Sequence, residues 1–335
     1  MAAESLPGFQ SPLVNRDVKV AVLMGGVGEE REISIQSGNC VTEALKEAGL
    51  NVVAADIRPH NAGILQEPDI DVFFVALHGR FGEDGQLQQI LEDRSLIYTG
   101  SGPEASSLAF DKWAAKRCFV EAGIKAPRAV KFDRQIQAEE LERELYELGE
   151  KFVVKPLRQG STIGVDIVDD PKSALAAARR CSDRFGDCMI EEFVPGREIT
   201  VGILEGRALP IIEIKSKTGF YDYQAKYVDD RTQFLFDTIE NAELAAEIKA
   251  AALDCFNSLG CRHFGRVDLI LSDEQVPCVL EVNTIPGFTA HSLLPMAAAK
   301  TGLSMSGLCA KIVQAALENE NSQVPLVNPA ARNRI

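Results

Sequence analysis

Apolar runs alternate with amphipathic stretches along most of the chain, and the order of these patterns indicates a protein of mixed helices and strands. The first apolar run, VKVAVLMGG, begins at Val18 and precedes a helical pattern over 31–48 that ends at Gly49. Two more apolar runs follow, at 52–55 and 71–77. A strand, a glycine turn, a helix and a strand in this order predict a parallel α/β layer at the start of the chain.

The rest of the chain carries further helical and strand patterns. A helix is predicted to begin at Asp170 and Pro171, because a capping residue followed by proline favours a first helical turn. Helices are also predicted over 111–122, 138–148, 241–258 and 292–300. Strands are predicted for KFVVKP, GVDIV, CMIEEFV, ITVGIL, ALPIIEI, RVDLIL and CVLEV. Residues 215–236 match neither period, and their aromatic, charged and glycine-bearing composition predicts a long functional loop.

These patterns predict three domains of an α/β (α+β) fold between two tails. Both tails are polar and interrupted by proline, which is typical of terminal segments outside a packed core. The predicted divisions are an N-terminal tail at 1–17, an N-terminal α/β domain at 18–110, a central domain at 111–208, a C-terminal domain at 209–318 that contains the loop 215–236, and a C-terminal tail at 319–335.

Composition and charge narrow the class of protein. The chain has 335 residues, of which 46% are hydrophobic and 25% are charged. This balance is that of a globular protein and excludes a disordered or collagen-like chain. Acidic residues number 49 against 35 basic ones, so the formal net charge is −14. A protein with this negative net charge repels phosphate-rich polymers and anionic lipid surfaces. We therefore expect neither a nucleic acid nor a membrane as partner.

The N-terminus and the cysteines indicate a cytoplasmic protein. No apolar run approaches the roughly 18 to 20 residues that span a bilayer, and the N-terminus lacks the basic start and apolar segment of a secretory signal. Eight cysteines are scattered through the chain without CxxC spacing, which argues against a zinc knuckle. Scattered cysteines in apolar runs are typical of buried thiols in a reducing compartment.

Oxygen-bearing side chains interrupt two apolar strands near the end of the chain. Arg266 and Asp268 share one face of the strand RVDLIL, and Glu281 and Asn283 share one face of the strand in VLEVNTIPG. Two carboxylates and an amide on adjacent strands suit Mg²⁺, which prefers hard oxygen ligands. The alternative is a solvated polar strand face, but this reading does not explain charges inside otherwise apolar strands.

Two lysines are candidate ligands for phosphate. Lys155 ends the apolar strand FVVK directly before the turn LRQGSTIG, where loop N–H groups can add donors to an anion site. The lysine precedes the glycines, so this is not the GxxxxGK[ST] phosphate loop. Lys112 opens the second block of the chain and is a second candidate. Taken singly, either lysine also fits a solvated surface position. Only the two together support the prediction of a phosphate site.

The turn GGVGEERE and the loop after the strand at 71–77 contain the remaining candidates. The turn opens a helix, where backbone N–H groups favour an anion, but it lacks GxGxxG spacing. Glu30 and Glu32 lie in the first helical turn, where carboxylates are stabilised in any case, and the alternative is that Glu30 holds a substrate ammonium. His78 enters the glycine-rich segment ALHGRFGEDG and is either structural or catalytic.

Taken together, these segments resemble the D-alanine–D-alanine ligase family of ATP-grasp enzymes. The resemblance extends from about Val18 to Leu317, and its motifs occur in the family's order and spacing. They are GGVGEEREISIQSG, ALHGRFGEDGQLQ, YTGSG, FDKWAAK, VVKPLRQGSTIGV, EEFVPGREITV, FYDYQAKY, GRVDLIL and LEVNTIPGFTAHSLLPMAA. One departure is Gly28, because the family usually has serine at that position. The resemblance implies a three-domain ATP-grasp architecture in which 111–208 and 209–318 form the ATP-grasp domains.

The resemblance also implies a site for ATP as co-substrate. Its residues would be Lys112, Lys155, Glu191, Val194, Glu198 and Lys226. Lys112 and Lys155 would bind the phosphates. Glu191 and Val194 would contact adenine, and Glu198 would contact the ribose. In the metal site that the resemblance implies, Asp268, Glu281 and Asn283 would hold two Mg²⁺ or Mn²⁺ ions that bridge the β- and γ-phosphates.

The implied reaction joins two D-alanine molecules through a D-alanyl phosphate, with release of ADP and phosphate, for peptidoglycan precursor synthesis. The implied catalytic residues are Glu30, Ser161, Tyr227, Arg266, Gly287 and Ser292. The implied substrate-binding residues are Glu30, His78, Arg266, Gly287, Ser292 and Leu293. Glu30 would pair with the first ammonium and form a hydrogen-bonded set with Ser161 and Tyr227. Lys226 and Tyr227 would close the loop 215–236 over the site as a lid.

Other functions remain as alternatives. The acceptor could be D-serine, D-lactate or an L-amino acid. Relatives that make D-alanyl-D-lactate lack the loop tyrosine, so Tyr227 favours an amine acceptor. The chain could also be an inactive nucleotide-binding regulator, with Gly28 as the sign of lost activity, although every charged position that the chemistry needs is present. The family further implies a homodimer.

Overall fold

The computed structural model describes residues 17–135, 138–215 and 232–323, which form three sheets with helices packed on them. A parallel sheet begins the chain, as the apolar pattern predicts. Strands β1 (Lys19–Gly25), β2 (Asn51–Ile57) and β3 (Val72–Val75) lie in the order β2-β1-β3. The apolar side chains of β1 and β3 are almost fully buried, which explains why both strands read as continuous apolar runs.

Helices cover this first sheet. Helix α1 (Arg31–Glu47) follows the glycine turn after β1 and buries its apolar face, including Val41 and Leu45. A short 3₁₀ helix (Gly63–Gln66), α2 (Gln86–Asp93) and α3 (Pro103–Phe110) complete this part of the chain. These three short helices were not predicted, because each has eight residues or fewer, which is too few to show a clear helical period.

The second sheet is antiparallel and has the order β4-β7-β5-β6. Its strands are β4 (Ala129–Lys131), β5 (Phe152–Pro156), β6 (Asp166–Val168) and β7 (Cys188–Glu192). The accompanying helices are α4 (Lys112–Glu121), α5 (Ala138–Leu148) and α6 (Pro171–Phe185). The predicted start of α6 is confirmed, since the Asp170 carboxylate accepts the Ser173 N–H at 3.0 Å and Pro171 lies in the first turn.

The third sheet is the largest, with the order β11-β10-β8-β12-β13 and β9 paired to β8. Its strands are β8 (Gly196–Leu204), β9 (Arg207–Ala208), β10 (Ile212–Lys215), β11 (Gln233–Phe236), β12 (Phe264–Ser272) and β13 (Pro277–Asn283). The helices of this part are α7 (Ala242–Ser258), α8 (Leu293–Lys300) and α9 (Met305–Gln323).

Two boundaries differ from the sequence prediction. Strand β8 pairs along its whole length with β12, so the chain enters the large sheet at Gly196 and not after residue 208. The apolar pattern of β8 predicts a strand but does not reveal its partner, which is about 70 residues away. Helix α9 runs to Gln323, past the predicted start of the C-terminal tail at 319. Its apolar side chains up to Leu317 pack in the core of the first sheet, and the helix continues from there through a polar stretch that the sequence pattern assigned to the tail.

An aromatic cluster joins the first and third sheets. Phe74 of β3 lies 5.4 Å from Phe288 and 6.4 Å from Phe264 of β12, measured between ring centroids, and Phe264 lies 5.5 Å from Phe288. All three rings are fully buried. This packing fixes the segment after β13 against the carboxyl end of the first sheet. No helix in the described part of the chain is long and apolar enough to cross a membrane.

Candidate active site

A cleft of about 480 Å³ lies between the four-stranded sheet and the large sheet. Strands β5 and β7 form one wall, and β8, β10, β12 and β13 form the other. Five of the residues predicted to bind ATP line this cleft: Lys112, Lys155, Glu191, Val194 and Glu198. The predicted metal ligands Asp268 and Glu281 line it as well. Lys226, the sixth predicted nucleotide ligand, lies outside the described residues.

Buried cations form one side of this cleft. Lys155 on β5 has an exposed fraction of 7%, and its Nζ lies 2.6 Å from Glu191 Oε2 on β7. Lys112, the first residue of α4, places Nζ 2.8 Å from Glu281 Oε2 and donates to the carbonyl of Gln159 at 2.9 Å. Burial is the largest single effect and disfavours the charged form of Lys112, but the contacts with Glu281 together with the charges of Glu191 and Glu30 outweigh it and raise the pKa of this lysine. Lys112 therefore stays cationic inside the cleft.

The oxygen side chains of β12 and β13 lie on the wall that the large sheet forms, where Glu281 contacts Lys112. Asp268 is paired in register with Glu281, and Arg266 with Asn283, so the four residues occupy neighbouring positions on two antiparallel strands. The Arg266 guanidinium donates to both oxygens of Asp268, at 2.8 and 2.7 Å. Asn283 Oδ1 accepts the Ile285 N–H at 3.0 Å. The sequence prediction that these side chains share one surface agrees with this register.

This donor set fits a divalent cation that is also bound by phosphates. In the described part of the chain, no group of three or more His, Cys, Asp and Glu side chains could hold a metal. Asp268 and Glu281 contribute two carboxylates, and Asn283 contributes an amide oxygen. Mg²⁺ is usually bound in this way, by one or two carboxylates together with substrate phosphates and water. The residues therefore suit Mg²⁺ or Mn²⁺ next to a bound nucleotide.

Glu30 and Ser161 are in contact although they lie 131 residues apart in the sequence. Glu30 immediately precedes α1 and is 9% exposed. Ser161 Oγ donates to Glu30 Oε1 at 2.7 Å. The loop that carries this serine follows β5, and a Cβ at Gly160 would lie 2.6 Å from Glu30 Oε1, so only glycine allows this approach. Tyr227, the predicted third member of the set, lies outside the described residues.

His78 is buried and connects the first sheet to the segment after β13. Its Nδ1 lies 2.9 Å from the carbonyl of Ile285, and its Nε2 lies 2.9 Å from Ser37 Oγ. Since a carbonyl can only accept, Nδ1 carries the proton, and Nε2 accepts from the Ser37 hydroxyl. Burial is the main cause that lowers the pKa of His78 to about 4, with a smaller contribution from Arg266. The imidazole is therefore neutral at physiological pH.

Ser37 extends this chain of hydrogen bonds to the predicted oxyanion region. Its Oγ accepts the Phe288 N–H at 3.2 Å, next to Gly287. A Cβ at Gly287 would lie 2.6 Å from Ser292 Oγ, so the glycine permits close packing of this turn. Ser292 precedes α8, and its hydroxyl accepts the Thr289 N–H at 2.9 Å. The side chain of Leu293 is 5% exposed, and its backbone lies in the first turn of α8.

The glycine-rich turn after β1 contains the departure from the family pattern. Gly28 has a φ of +94°, and a Cβ placed there would have no neighbour within 4 Å. Space therefore does not prevent a serine at this position. The left-handed backbone conformation, which L side chains rarely adopt, is what favours glycine in this chain.

Sequence reasoning missed several polar residues of this region. Lys116 on α4 lies 2.9 Å from Glu191 Oε1, and burial is the main cause that lowers its pKa. Glu83 accepts the Gly79 N–H at 2.6 Å. Burial and then the nearby Glu30 carboxylate raise the pKa of Glu83 well above its ordinary value. Both missed residues lie inside segments that carry the family resemblance, and a charge between buried neighbours was the available signal.

A hydroxyl on β8 also contributes. Thr200 is 1% exposed, and its Oγ1 donates to Asp268 Oδ1 at 2.6 Å. The carboxylate of Asp268 is thus oriented from two directions, by Thr200 and by Arg266. The whole region can place a polyanion against buried ammonium groups, hold a divalent cation beside it, and position a small polar molecule near Glu30. This combination suits transfer of a phosphoryl group to a small carboxylate.

Comparison with known proteins agrees with this chemistry. A family model described as the D-ala D-ala ligase C-terminus matches residues 119–314. A D-alanine–D-alanine ligase from Methylacidiphilum infernorum is 39% identical over 303 residues, which are 88% of this chain and 94% of that protein.

Solved structures of ligases are similar to this chain along most of its length. The D-alanine–D-alanine ligase from Bacillus anthracis complexed with ATP superposes with a TM-score of 0.81 at 31% identity, covering 92% of this chain and all of that one. The VanG D-Ala:D-Ser ligase from Enterococcus faecalis has a TM-score of 0.78 at 27% identity, covering 89% and 99% of the two chains. The matched length, the identity and the shared fold place this chain in the D-alanine–D-alanine ligase family.

Proposed function

We propose that the protein joins two D-alanine molecules into D-alanyl-D-alanine in an ATP-dependent, ADP-forming reaction that supplies peptidoglycan precursor synthesis. The observation that carries this proposal is the cleft itself. Half-buried Lys112 and buried Lys155 line the same cleft as Asp268 and Glu281. Thr162, which follows the serine of the Glu30–Ser161 hydrogen bond, lines this cleft as well. The membership of this chain in the ligase family supports the same reaction.

The chemistry requires activation of a carboxylate. An amine does not readily attack a carboxylate, because the negative charge must first be removed from the reacting group. A carboxylate oxygen of the first D-alanine attacks the γ-phosphorus of ATP and displaces ADP, which forms D-alanyl phosphate. The amine of the second D-alanine then attacks the acyl carbon, loses a proton, and expels inorganic phosphate. Each turnover therefore produces one ADP, one phosphate and one dipeptide.

The cleft residues account for nucleotide binding. Lys112 and Lys155 contact the phosphates, since their ammonium groups are held by carboxylates on the cleft walls. Glu191 and Val194 contact the adenine ring. Glu198 on β8 contacts the ribose.

Asp268, Glu281 and Asn283 would hold two Mg²⁺ or Mn²⁺ ions beside the phosphates. When bound, these ions offset the charge that develops during phosphoryl transfer. Thr200 orients Asp268 for this task, and Arg266 balances its charge from the opposite side. Arg266 also lies next to the predicted oxyanion region, where its guanidinium stabilises the acyl phosphate.

The residues near α1 and α8 account for substrate binding. The carboxylate of Glu30 pairs with the ammonium of the first D-alanine, and Ser161 orients that carboxylate. Neutral His78 acts through Ser37 and Ile285, which fix the segment that carries Gly287. The N–H of Gly287 then faces the developing oxyanion.

The start of α8 binds the second substrate. Ser292 immediately precedes this helix, and its N–H donates to the Thr289 carbonyl at 3.0 Å. The second D-alanine therefore places its carboxylate at the Ser292 hydroxyl and the N–H of Leu293 in the first turn, where the helix dipole favours an anion. Lys226 and Tyr227 lie outside the described residues. The lid over the reactants and the set of Ser161, Tyr227 and Glu30 that the family resemblance implies therefore stay predictions.

D-Serine is the second candidate for the acceptor, because the D-Ala:D-Ser ligase from Enterococcus faecalis shares this fold. Incubation with Mg-ATP and D-alanine, alone or with an excess of D-serine, D-lactate or L-alanine, separates the candidates when products are analysed by mass spectrometry. We expect D-alanyl-D-alanine as the main product in every mixture. A mixed product that predominates would reassign the acceptor, and absence of any ADP release would reject the ligase reaction.

We also propose a cytoplasmic homodimer. All eight cysteines are free thiols, which suits a reducing compartment that supplies ATP. The dimer rests on the family resemblance. Size-exclusion chromatography with light scattering tests it, and a mass of 36.5 kDa in solution would show a monomer instead.

A further inference from the structure

Three ionised side chains from three elements form a buried chain behind the nucleotide cleft. Lys116 of α4 lies 2.9 Å from Glu191 Oε1, and Lys155 of β5 lies 2.6 Å from Glu191 Oε2. Glu191 on β7 is 2% exposed, and each lysine is 7% exposed. We call Lys116, Glu191 and Lys155 the buried triad. Each oxygen of the single carboxylate is thus held by a different ammonium group.

The members of the buried triad face different surroundings. Lys155 and Glu191 line the cleft, whereas Lys116 does not. Instead, Lys116 Nζ also donates to the carbonyl of Pro127 at 2.6 Å, which ties it to the segment before β4. A ligand in the cleft can therefore contact Lys155 and Glu191 directly. Lys116 can influence that ligand only through Glu191.

The contacts of the buried triad indicate that Lys116 fixes the orientation of the Glu191 carboxylate. Glu191 and Lys155 alone would form a neutral pair, and the carboxylate would be free to turn toward whichever donor enters the cleft. With Lys116 behind it, the carboxylate is fixed from both sides, so Glu191 holds the Lys155 ammonium in one position at the cleft wall.

We propose that Lys116 is a positioning residue for the nucleotide: it holds Glu191 so that Glu191 fixes Lys155 in the cleft. The inference rests on the proposed function, since it takes ATP as the occupant of the cleft. It adds a residue that does not touch the ligand yet sets the affinity for it.

The primary test measures ATP binding to Lys116 variants by isothermal titration calorimetry, without D-alanine. Lys116→Met removes the charge, the ion pair with Glu191 and the hydrogen bond to Pro127. Because it leaves Glu191 with one partner, we expect the Kd for ATP to rise about tenfold or more. Lys116→Arg keeps the charge and can still donate to Glu191 and Pro127, so we expect it to stay within about threefold of the parent protein.

Steady-state kinetics separate positioning from general damage. We expect Lys116→Met to raise the KM for ATP by a similar factor and to leave the KM for D-alanine within about twofold. A merely structural role would raise both or lower only the amount of folded protein. Circular dichroism melting defines the temperature at which each variant is folded, and all kinetics are measured below it.

Lys311→Met provides a matched control. Lys311 on α9 forms another largely buried ion pair, 2.9 Å from Glu205 Oε2, and neither residue lines the cleft. This variant loses stability through the same kind of broken pair. We expect its KM and Kd for ATP to equal those of the parent protein.

A double-mutant cycle tests whether Lys116 acts through Glu191. In a Glu191→Gln background, Lys116→Met should change the Kd for ATP by less than about twofold, because the carboxylate that it positions is gone. Equal effects of Lys116→Met in both backgrounds would overturn the inference, as would a folded Lys116→Met with the ATP affinity of the parent. If Lys116→Met does not fold, Lys116→Gln replaces it in the same cycle. Failure of the parent protein to bind ATP would instead reject the proposed function.

Discussion

Replacement of Asp268 by asparagine tests the metal site and the ion pair beside it. The amide has the same size as the carboxylate but lacks its charge and offers one acceptor oxygen in place of two. In the parent protein, Arg266 donates to both carboxylate oxygens at 2.8 and 2.7 Å, and Thr200 donates to Oδ1 at 2.6 Å. In Asp268→Asn, the nitrogen of the new amide takes the place of one carboxylate oxygen and faces a guanidinium nitrogen, so two hydrogen-bond donors meet.

The structure sets the size of the effect. The side chains of Arg266 and Asp268 are 12% and 11% exposed, so the pair is mostly buried. Breaking a buried pair typically costs about 3 to 5 kcal/mol, and the remaining exposure places this pair near the lower figure. The same loss of charge removes a carboxylate from the proposed metal site. We therefore expect turnover to fall by about two to three orders of magnitude and the Mg²⁺ concentration for half-maximal activity to rise about tenfold or more.

The assay follows ADP release at saturating ATP and D-alanine while Mg²⁺ is varied. Thr200→Val is the control, because it removes one hydrogen bond to Asp268 and leaves the charge and the ion pair in place. We expect its requirement for Mg²⁺ to rise less than that of Asp268→Asn. An unchanged Mg²⁺ dependence in Asp268→Asn, with or without loss of turnover, would refute the assignment of Asp268 as a metal ligand.

Three further predictions concern the substrate side of the site. His78 has a pKa of about 4 in the folded protein against an ordinary 6.5, so the unfolded chain binds more protons between these values and stability falls as the pH is lowered. Urea unfolding at pH 7 and 5 should show an extra loss of about 2 kcal/mol at pH 5 that disappears in His78→Gln, and an equal pH effect in both proteins would contradict this. Ser161→Ala removes the 2.7 Å hydrogen bond to Glu30 and should lower kcat/KM for D-alanine about tenfold in initial-rate assays without changing ATP affinity. Gly287→Ala places a Cβ 2.6 Å from Ser292 Oγ and should lower the melting temperature, and Ser292→Ala should restore part of the loss if this contact is the cause.

Local sequence patterns predicted most of the regular structure and the parallel α/β layer. The strands β1, β5, β12 and β13 read as apolar runs because their side chains are buried in the structure. The pattern could not show that β8 joins the large sheet, since the pairing of β8 with β12 depends on residues about 70 positions apart. Short helices such as α2 also escaped, because eight residues show too little of the helical period.

Some residues of the candidate site could be predicted from local sequence patterns, whereas contacts between residues far apart in the sequence could not. The oxygen donors of β12 and β13 could be found from the residues alone, because a charge inside an apolar strand is conspicuous. The contact between Glu30 and Ser161 spans 131 residues, so only the family resemblance could suggest it. Lys116 was missed because a lysine on a helix normally points to solvent, and its contact with Glu191 joins two residues that are 75 positions apart in the sequence.

In the proposed reaction, ATP activates the carboxylate of one D-alanine before the second D-alanine attacks it. The most direct measurement uses D-alanine labelled with ¹⁸O in its carboxylate, with Mg-ATP, and analyses the released phosphate and the dipeptide by mass spectrometry. We predict one ¹⁸O atom in each phosphate and one D-alanyl-D-alanine for each ADP. Phosphate without label, or ADP release that does not depend on D-alanine, would contradict the activation of the D-alanine carboxylate by ATP.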